Sequence, residues 1–250
     1  MKLLGFAVLL VLAAAASKTP RMLRGFQCPD DAHRWDVALY EGFKFKCTGV
    51  LVHKNWILTL AHCNPKGQLY ARLGQRNLLQ PDKMGQLRLL KRRFPYPKYN
   101  SATRDNDIML VKLSMAANES KYVRTVCLPD YPTQCAEPEE HCILSGWGTR
   151  FLKNGPPPDV LMCGNVTVVS YATCQASRPK GLTPNMICAT VTTGGTDACQ
   201  ADFGSPLVCS GVLQGLASWG FEECSYSDPP NVFIKVCKYI NWIREVIASN

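Results

Sequence analysis

Thirteen cysteines lie between Cys28 and Cys237 of this 250-residue chain, and they constrain its fold more than any other feature. A reducing compartment tolerates that many thiols only where they bind metal. No two of them form a C-x-x-C pair, and there are only four histidines, so zinc ribbons and fingers have poor support. Disulfides are the better account, and they imply an oxidising destination. The N-terminus agrees. Met1 and Lys2 precede an apolar run of fourteen residues, Leu3 to Ala16, that closes on alanines, the pattern of a secretory signal cut after Ala16. That run is short of the roughly 20 residues that cross a bilayer, and no later segment is long or charge-free enough to span one. The chain reads as secreted and extracellular, with residues 1–16 as signal peptide.

With 46% hydrophobic and 19% charged residues the chain is neither a disordered tail nor a membrane bundle, and the absence of any internal period excludes collagen and coiled coil. Residues 17–21, Ser17 to Arg21, form a short polar stretch with the character of a propeptide, and Arg21-Met22 is a candidate cleavage bond for a trypsin-like enzyme. Beyond it, short apolar runs alternate with Gly, Pro and Asn. Thr48–Leu60, Ile108–Leu113, Asn165–Ser170 and Ser210–Trp219 are aliphatic or β-branched and of strand length, which predicts an all-β sandwich or barrel. Only Tyr239–Ile247 looks helical, with Ile240, Ile243, Val246 and Ile247 at helical spacing. Gly155-Pro156-Pro157-Pro158 marks an exposed loop. Two sequons, at Asn118 and Asn165, are candidate N-glycosylation sites.

Five blocks then follow in one order: Thr59-Leu60-Ala61-His62-Cys63, Asp105-Asn106-Asp107-Ile108-Met109-Leu110, Ser145-Gly146-Trp147-Gly148, Asp197-Ala198-Cys199-Gln200 and Ser218-Trp219-Gly220. Together they resemble the trypsin-like serine proteases, with a general likeness to tissue kallikreins, from Met22 to the C-terminus. The resemblance implies two six-stranded antiparallel β-barrels and a C-terminal helix in one protease domain, 22–250. The N-terminal barrel would span about 22–125 and the C-terminal barrel about 126–250, with the site between them. In that family a serine attacks the carbonyl, a histidine takes its proton, and a buried carboxylate fixes the histidine tautomer. His62 and Asp107 match the last two roles.

The family's nucleophile lies in Gly-Asp-Ser-Gly-Gly-Pro, and the matching stretch here is Ala201-Asp202-Phe203-Gly204-Ser205-Pro206. Phe203 stands in the serine's place and has no atom that can attack. Ser205 is two residues on, displaced by roughly 6–7 Å in an extended segment, whereas attack needs about 3–3.5 Å. The resemblance places the oxyanion hole on backbone N–H groups at 201 and 203, where Ala201 replaces a glycine. A single base change interconverts some serine and phenylalanine codons, so a misread residue is the rival account. Further departures count against it. Asp197 matches the residue that selects Lys or Arg in trypsin, but Asn231 replaces a glycine of the pocket wall, and Thr48 and Leu60 replace small residues near the histidine. Ser218, Trp219 and Gly220 match the substrate-binding segment.

The resemblance also pairs the cysteines: Cys28 with Cys163, Cys47 with Cys63, Cys135 with Cys237, Cys142 with Cys209, Cys174 with Cys188, and Cys199 with Cys224. Cys127 is left over and is expected to be a buried free thiol, the alternative being a link to another chain. In the family, cleavage frees an apolar N-terminus whose ammonium pairs with the aspartate before the nucleophile; here these would be Met22 and Asp202. No catalytic metal or other cofactor is expected, and a calcium loop found in some relatives lacks carboxylates here, between Arg72 and Asp82.

The net charge of +9 falls to +6 without residues 1–21, which carry Lys2, Lys18 and Arg21 and no acid. The basic residues cluster at Arg72, Arg76, Lys83, Arg88, Lys91, Arg92, Arg93 and Lys98, a stretch that would suit heparan sulfate or an acidic protein surface, the plainer reading being a solvated loop face. Nucleic acid is not expected of a secreted chain. The expectation is a monomeric, secreted protease homologue without peptidase activity that binds an extracellular protein, whether receptor, protease inhibitor or substrate-like ligand. The alternative is a serine endopeptidase cleaving after Lys or Arg.

Overall fold

The computed structural model describes residues 26–80, 82–148, 160–191, 202–220 and 229–250. Six strands close the first barrel: β2 (Asp36–Glu41), β3 (Lys44–His53), β4 (Trp56–Thr59), β5 (Leu69–Leu73), β6 (Gln86–Pro95) and β7 (Met109–Leu113). They pair in the ring β2-β3-β4-β7-β6-β5, all antiparallel, and β5 returns to β2. A second ring, β8-β9-β10-β13-β12-β11, is made by β8 (His141–Gly146), β9 (Met162–Val169), β10 (Met186–Val191), β11 (Pro206–Cys209), β12 (Val212–Trp219) and β13 (Asn231–Lys235), and the β8–β9 pairing closes it. Two short N-terminal residues, β1 (Phe26–Gln27), add to the outside of this second barrel along β9. Closure leaves neither barrel with a free strand edge.

The strands follow the apolar pattern. In β5, Leu69, Ala71 and Leu73 are buried while Tyr70 and Arg72 are half-buried, the period of two that fills a barrel from one face. Thr48–Leu60, a run of strand character throughout, is not one strand but two: Val50 pairs with Leu58 and His53 with Trp56 across a tight turn at Lys54-Asn55. Ser210 and Gly211 both take positive φ, 49° and 81°, the left-handed pair that a two-residue hairpin between β11 and β12 needs. At the C-terminus, α2 (Ile240–Ser249) buries Ile240 and Ile243 as the spacing implied, following a 3-10 turn at Val236–Tyr239. A second helix, α1 (Tyr171–Ser177), is not anticipated by the sequence reading; Ser170 caps it by accepting from the Thr173 amide.

Five of the six expected disulfides form, 28–163, 47–63, 135–237, 142–209 and 174–188. Cys199 and Cys224 lie outside the described residues, as do the signal segment, residues 17–21 and the Arg21-Met22 bond. Cys127 departs from expectation. Its thiol is free and exposed, because the chain here runs over the outside of the second barrel, bridging to Val212. Between the barrels Ala38 and Tyr40 pack with Trp147 and Leu161, and Phe45 meets Trp147 edge-on at 5.9 Å.

Candidate active site

The histidine arrives from the first barrel. β4 ends at Thr59, and a 3-10 turn at Ala61–Cys63 follows, tethered to β3 by the Cys47–Cys63 bridge. Asp107 enters just before β7 and is fully buried. Its Oδ2 lies 2.5 Å from His62 Nδ1 and its Oδ1 accepts the His62 amide at 2.9 Å. Ser218 Oγ, from β12 of the second barrel, donates to the same Oδ2 at 3.2 Å. The carboxylate thus fixes the proton on Nδ1 and turns Nε2 toward the cleft, as the histidine–carboxylate pair of a protease requires.

What packs against the imidazole is an aromatic ring. Phe203 meets His62 edge-on with ring centroids 4.7 Å apart, and Nε2 is buried with no hydrogen-bond partner. The loop that delivers the ring is tightly held. Thr48 N donates to Phe203 O at 2.8 Å, Gly204 N to Ala217 O at 2.8 Å, and Ser205 N back to Asp202 O at 3.0 Å. Gly204 has φ +88°, and a Cβ there would fall 2.0 Å from Thr48 O, so only glycine fits the turn. The loop bends sharply at Gly204 and presents the Phe203 ring to His62. Ser205 does not supply a hydroxyl there: it is fully buried and its Oγ points at Gly146 of β8, where an added Cβ would stand 2.4 Å away.

Asp202 is buried, and its Oδ2 accepts the amides of Trp147 and Gly148 at 2.8 and 3.0 Å. Met22, its expected partner, lies outside the described residues, as do Ala201 and Asp197. Asn231 is buried at the start of β13, its backbone paired with Ala189 of β10. Thr48 and Leu60 are both fully buried; Thr48 O also accepts from Thr59 Oγ1 at 2.8 Å. Trp219 and Gly220 follow Ser218 along the rim of the cleft.

Two arginines without a sequence motif lie across the cleft beside these residues. Arg104 holds φ +55°, lays its guanidinium 5.2 Å over the Phe203 ring, and donates to Ser218 O at 3.0 Å. Arg178, after α1, sits 5.4 Å over the Trp219 ring and donates to Gly220 O at 2.8 Å and to Pro230 O at 2.6 Å. No motif marks either residue; only the fold brings them to the cleft. Two sets of potential metal ligands occur among the described residues, Cys28–His33–Cys163 and Cys47–His62–Cys63, and in both the sulfurs are spent in a disulfide and are not thiolates.

Comparison with known proteins agrees with this geometry. The family model described as Trypsin matches residues 22–243. Human kallikrein-15 is 38% identical over 251 residues, covering 96% of each chain, and trypsin of Xenopus laevis is 38% identical over 250 residues, covering 100% of each. Among solved structures, mouse neuropsin, a serine protease expressed in the limbic system of the brain, superposes with a TM-score of 0.81 at 35% identity, over 89% of this chain and 98% of that one. Two closed six-stranded barrels, five matching disulfides and a His–Asp pair between them have one reading: the chain belongs to the trypsin-like serine protease family, with kallikreins among its relatives.

Proposed function

We propose that this protein is a secreted trypsin-family homologue without peptidase activity, which works by binding another extracellular protein as decoy, scaffold or ligand. The observation that carries this is the Phe203 ring against His62, with Nε2 buried and unpartnered. A base without a nucleophile cannot form an acyl-enzyme, and a triad lacking one member retains only about 10³–10⁴-fold catalysis over water. Disulfides fit an oxidising compartment, and the exposed Asn118 and Asn165 are proposed to carry N-glycans, checked by the mass lost on N-glycosidase treatment of the expressed chain. Cleavage after Arg21 is proposed to deliver the Met22 ammonium to Asp202, whose carboxylate is already held by two amides. Four exposed cations, Lys83, Lys91, Arg92 and Lys98, are proposed to contact heparan sulfate.

The test is direct. The chain is cleaved after Arg21 and offered a fluorophosphonate probe and a Lys/Arg peptide substrate, with a Phe203→Ser variant alongside. Neither labelling nor turnover is expected from the folded native chain. Turnover that disappears in His62→Ala would make the protein a serine endopeptidase cleaving after Lys or Arg, and the binding role would fall.

A further inference from the structure

Loss of the hydroxyl is not the only barrier to a peptide in this cleft. An extended peptide docks on a strand by hydrogen-bonding its own amides to main-chain carbonyls along an open edge. The carbonyls of Ser218, in β12, and of Gly220, just past its end at Trp219, are acceptors of this kind on the segment beside Asp107. Ser218 is skipped by the ladder to β13, whose register shifts between Ala217 and Trp219, and on the other side Gly204 bonds Ala217 rather than Ser218. Each carbonyl is taken by an arginine of the same chain: Arg104 on Ser218 at 3.0 Å, Arg178 on Gly220 at 2.8 Å. Hydrogen bonds from a charged donor are the stronger kind.

Neither arginine is a loose surface side chain. The loop carrying Arg104 is fastened to the second barrel: Asp105 Oδ1 accepts from Thr183 Oγ1 at 2.7 Å and Asn185 Nδ2 at 3.1 Å, and Asn106 Oδ1 accepts from Tyr239 OH at 3.1 Å. Its guanidinium covers Phe203 while His62 meets the same ring edge-on, giving a His62–Phe203–Arg104 stack across the cleft. Arg178 has Trp219 beneath it and three carbonyls around it, those of Gly220, Pro229 and Pro230. At Gly220, φ +91°, a side chain would collide with that guanidinium, its Cβ 2.8 Å from Nη2.

We infer that Arg104 and Arg178 form a latch that closes the cleft to extended peptides, so that replacing Phe203 by serine does not by itself produce an efficient protease. This rests on the reading of the cleft given above, yet the two stand or fall separately. It also directs the search for the partner away from substrate-like docking in the cleft and toward other faces of the molecule.

The experiment uses the full chain cleaved after Arg21, in the Phe203→Ser background, with and without Arg104→Met and Arg178→Met; methionine keeps an unbranched apolar stem at each position, over the Trp219 ring in the case of Arg178, and removes the donors. A fluorophosphonate needs the serine but not the strand edge, whereas a tripeptide amide ending in Lys or Arg needs both. Labelling of Phe203→Ser and of the triple variant at similar rates is expected, with kcat/KM for the tripeptide at least tenfold higher in the triple variant, the size expected for losing a charged donor's hydrogen bond. Equal kcat/KM in the two would overturn the latch. If neither variant turns over, equilibrium binding of a Kunitz-type inhibitor decides: the triple variant should bind at least tenfold tighter, and equal or weaker binding would overturn it. Thermal unfolding of each variant checks the fold. Labelling of the unaltered chain would sink the pseudoprotease reading and leave the latch to its own test.

Discussion

Asp36, at the start of β2, is a carboxyl group with almost no contact with water and no hydrogen bond of good geometry to either oxygen, the Ser145 hydroxyl being a weak neighbouring donor. Burial pushes its pKa up to about 8, with Ser145 and Arg76 opposing and Asp202 adding to the rise. Three residues earlier, His33 is lowered to about 4, by burial first and by Arg76 second. The two act on stability with opposite signs. Between its unfolded value of 3.8 and about 8, Asp36 stays protonated in the fold while the unfolded chain ionises, so its effect is to lower stability as pH rises through that window. His33 stays neutral in the fold, so its contribution is full above 6.5 and is lost as pH falls toward 4. The opposed slopes offset each other between about 4 and 6.5, and the Asp36 decline is left alone from there to about 8. Asp36→Asn should therefore raise unfolding free energy at pH 7 by about 2–4 kcal/mol and abolish the decline. Urea unfolding across pH 4–9 would show it, and a variant that keeps the native slope would put the titrating group elsewhere. At this scale the sequence spoke clearly where chemistry had left a motif, at His62, Asp107 and Phe203. It was silent on Arg104 and Arg178, since an arginine's destination is set by loops packed from different barrels, and on Asp36, whose burial follows from barrel closure.

Among elements, the loop from β5 to β6 is gathered around one side chain. Gln75 is nearly buried, and its amide Nε2 donates to the carbonyls of Asn77 and Gln80, while Asp82 Oδ2 accepts the Arg76 amide at 2.5 Å and Asn77 Oδ1 accepts the Leu79 amide at 2.8 Å. Carbonyls turned inward are what a calcium ion would collect, and here an NH₂ donor occupies their focus. Gln75→Ala leaves both carbonyls without that donor and should cost about 1–3 kcal/mol. Millimolar calcium, or its removal by chelator, should leave the native melting temperature unchanged; a rise with calcium in the scan would mean that the loop binds the ion after all. The strand content was readable where aliphatic or β-branched residues run together, as at Ile108–Leu113 and Asn165–Ser170, which fall largely within β7 and β9. The β3–β4 turn was hidden because Lys54-Asn55 sits inside a run of strand formers, and α1 because seven residues make too little of a period to stand out, although its cap, Ser170, was in plain view.

The charge of the whole molecule looked like one basic stretch in the sequence, and folding divides it. Arg72 stacks on Tyr40 at 4.7 Å, Arg76 is bound to the carbonyl of Cys28, Arg88 reaches Ala116 O at 3.3 Å, and Arg93 ties together Pro65 O and Gly67 O, each at 2.6 Å. Half of the eight cations are thus structural. Lys83, Lys91, Arg92 and Lys98 remain exposed, with Lys91 and Arg92 adjacent where β6 bulges. A bulge puts consecutive side chains on the same side of a strand and so concentrates the field there. If this surface holds heparan sulfate, Lys91→Ala/Arg92→Ala should elute from immobilised heparin at distinctly lower salt than the native chain. Arg93→Ala should instead lower the melting temperature while shifting elution much less. Binding should fade as salt rises, because the screening length drops from about 10 Å at 0.1 M to about 3 Å at 1 M. Equal elution shifts for Arg93→Ala and for either single substitution, Lys91→Ala or Arg92→Ala, would mean that only net charge counts, and the exposed cations of β6 would then have no part in choosing a partner.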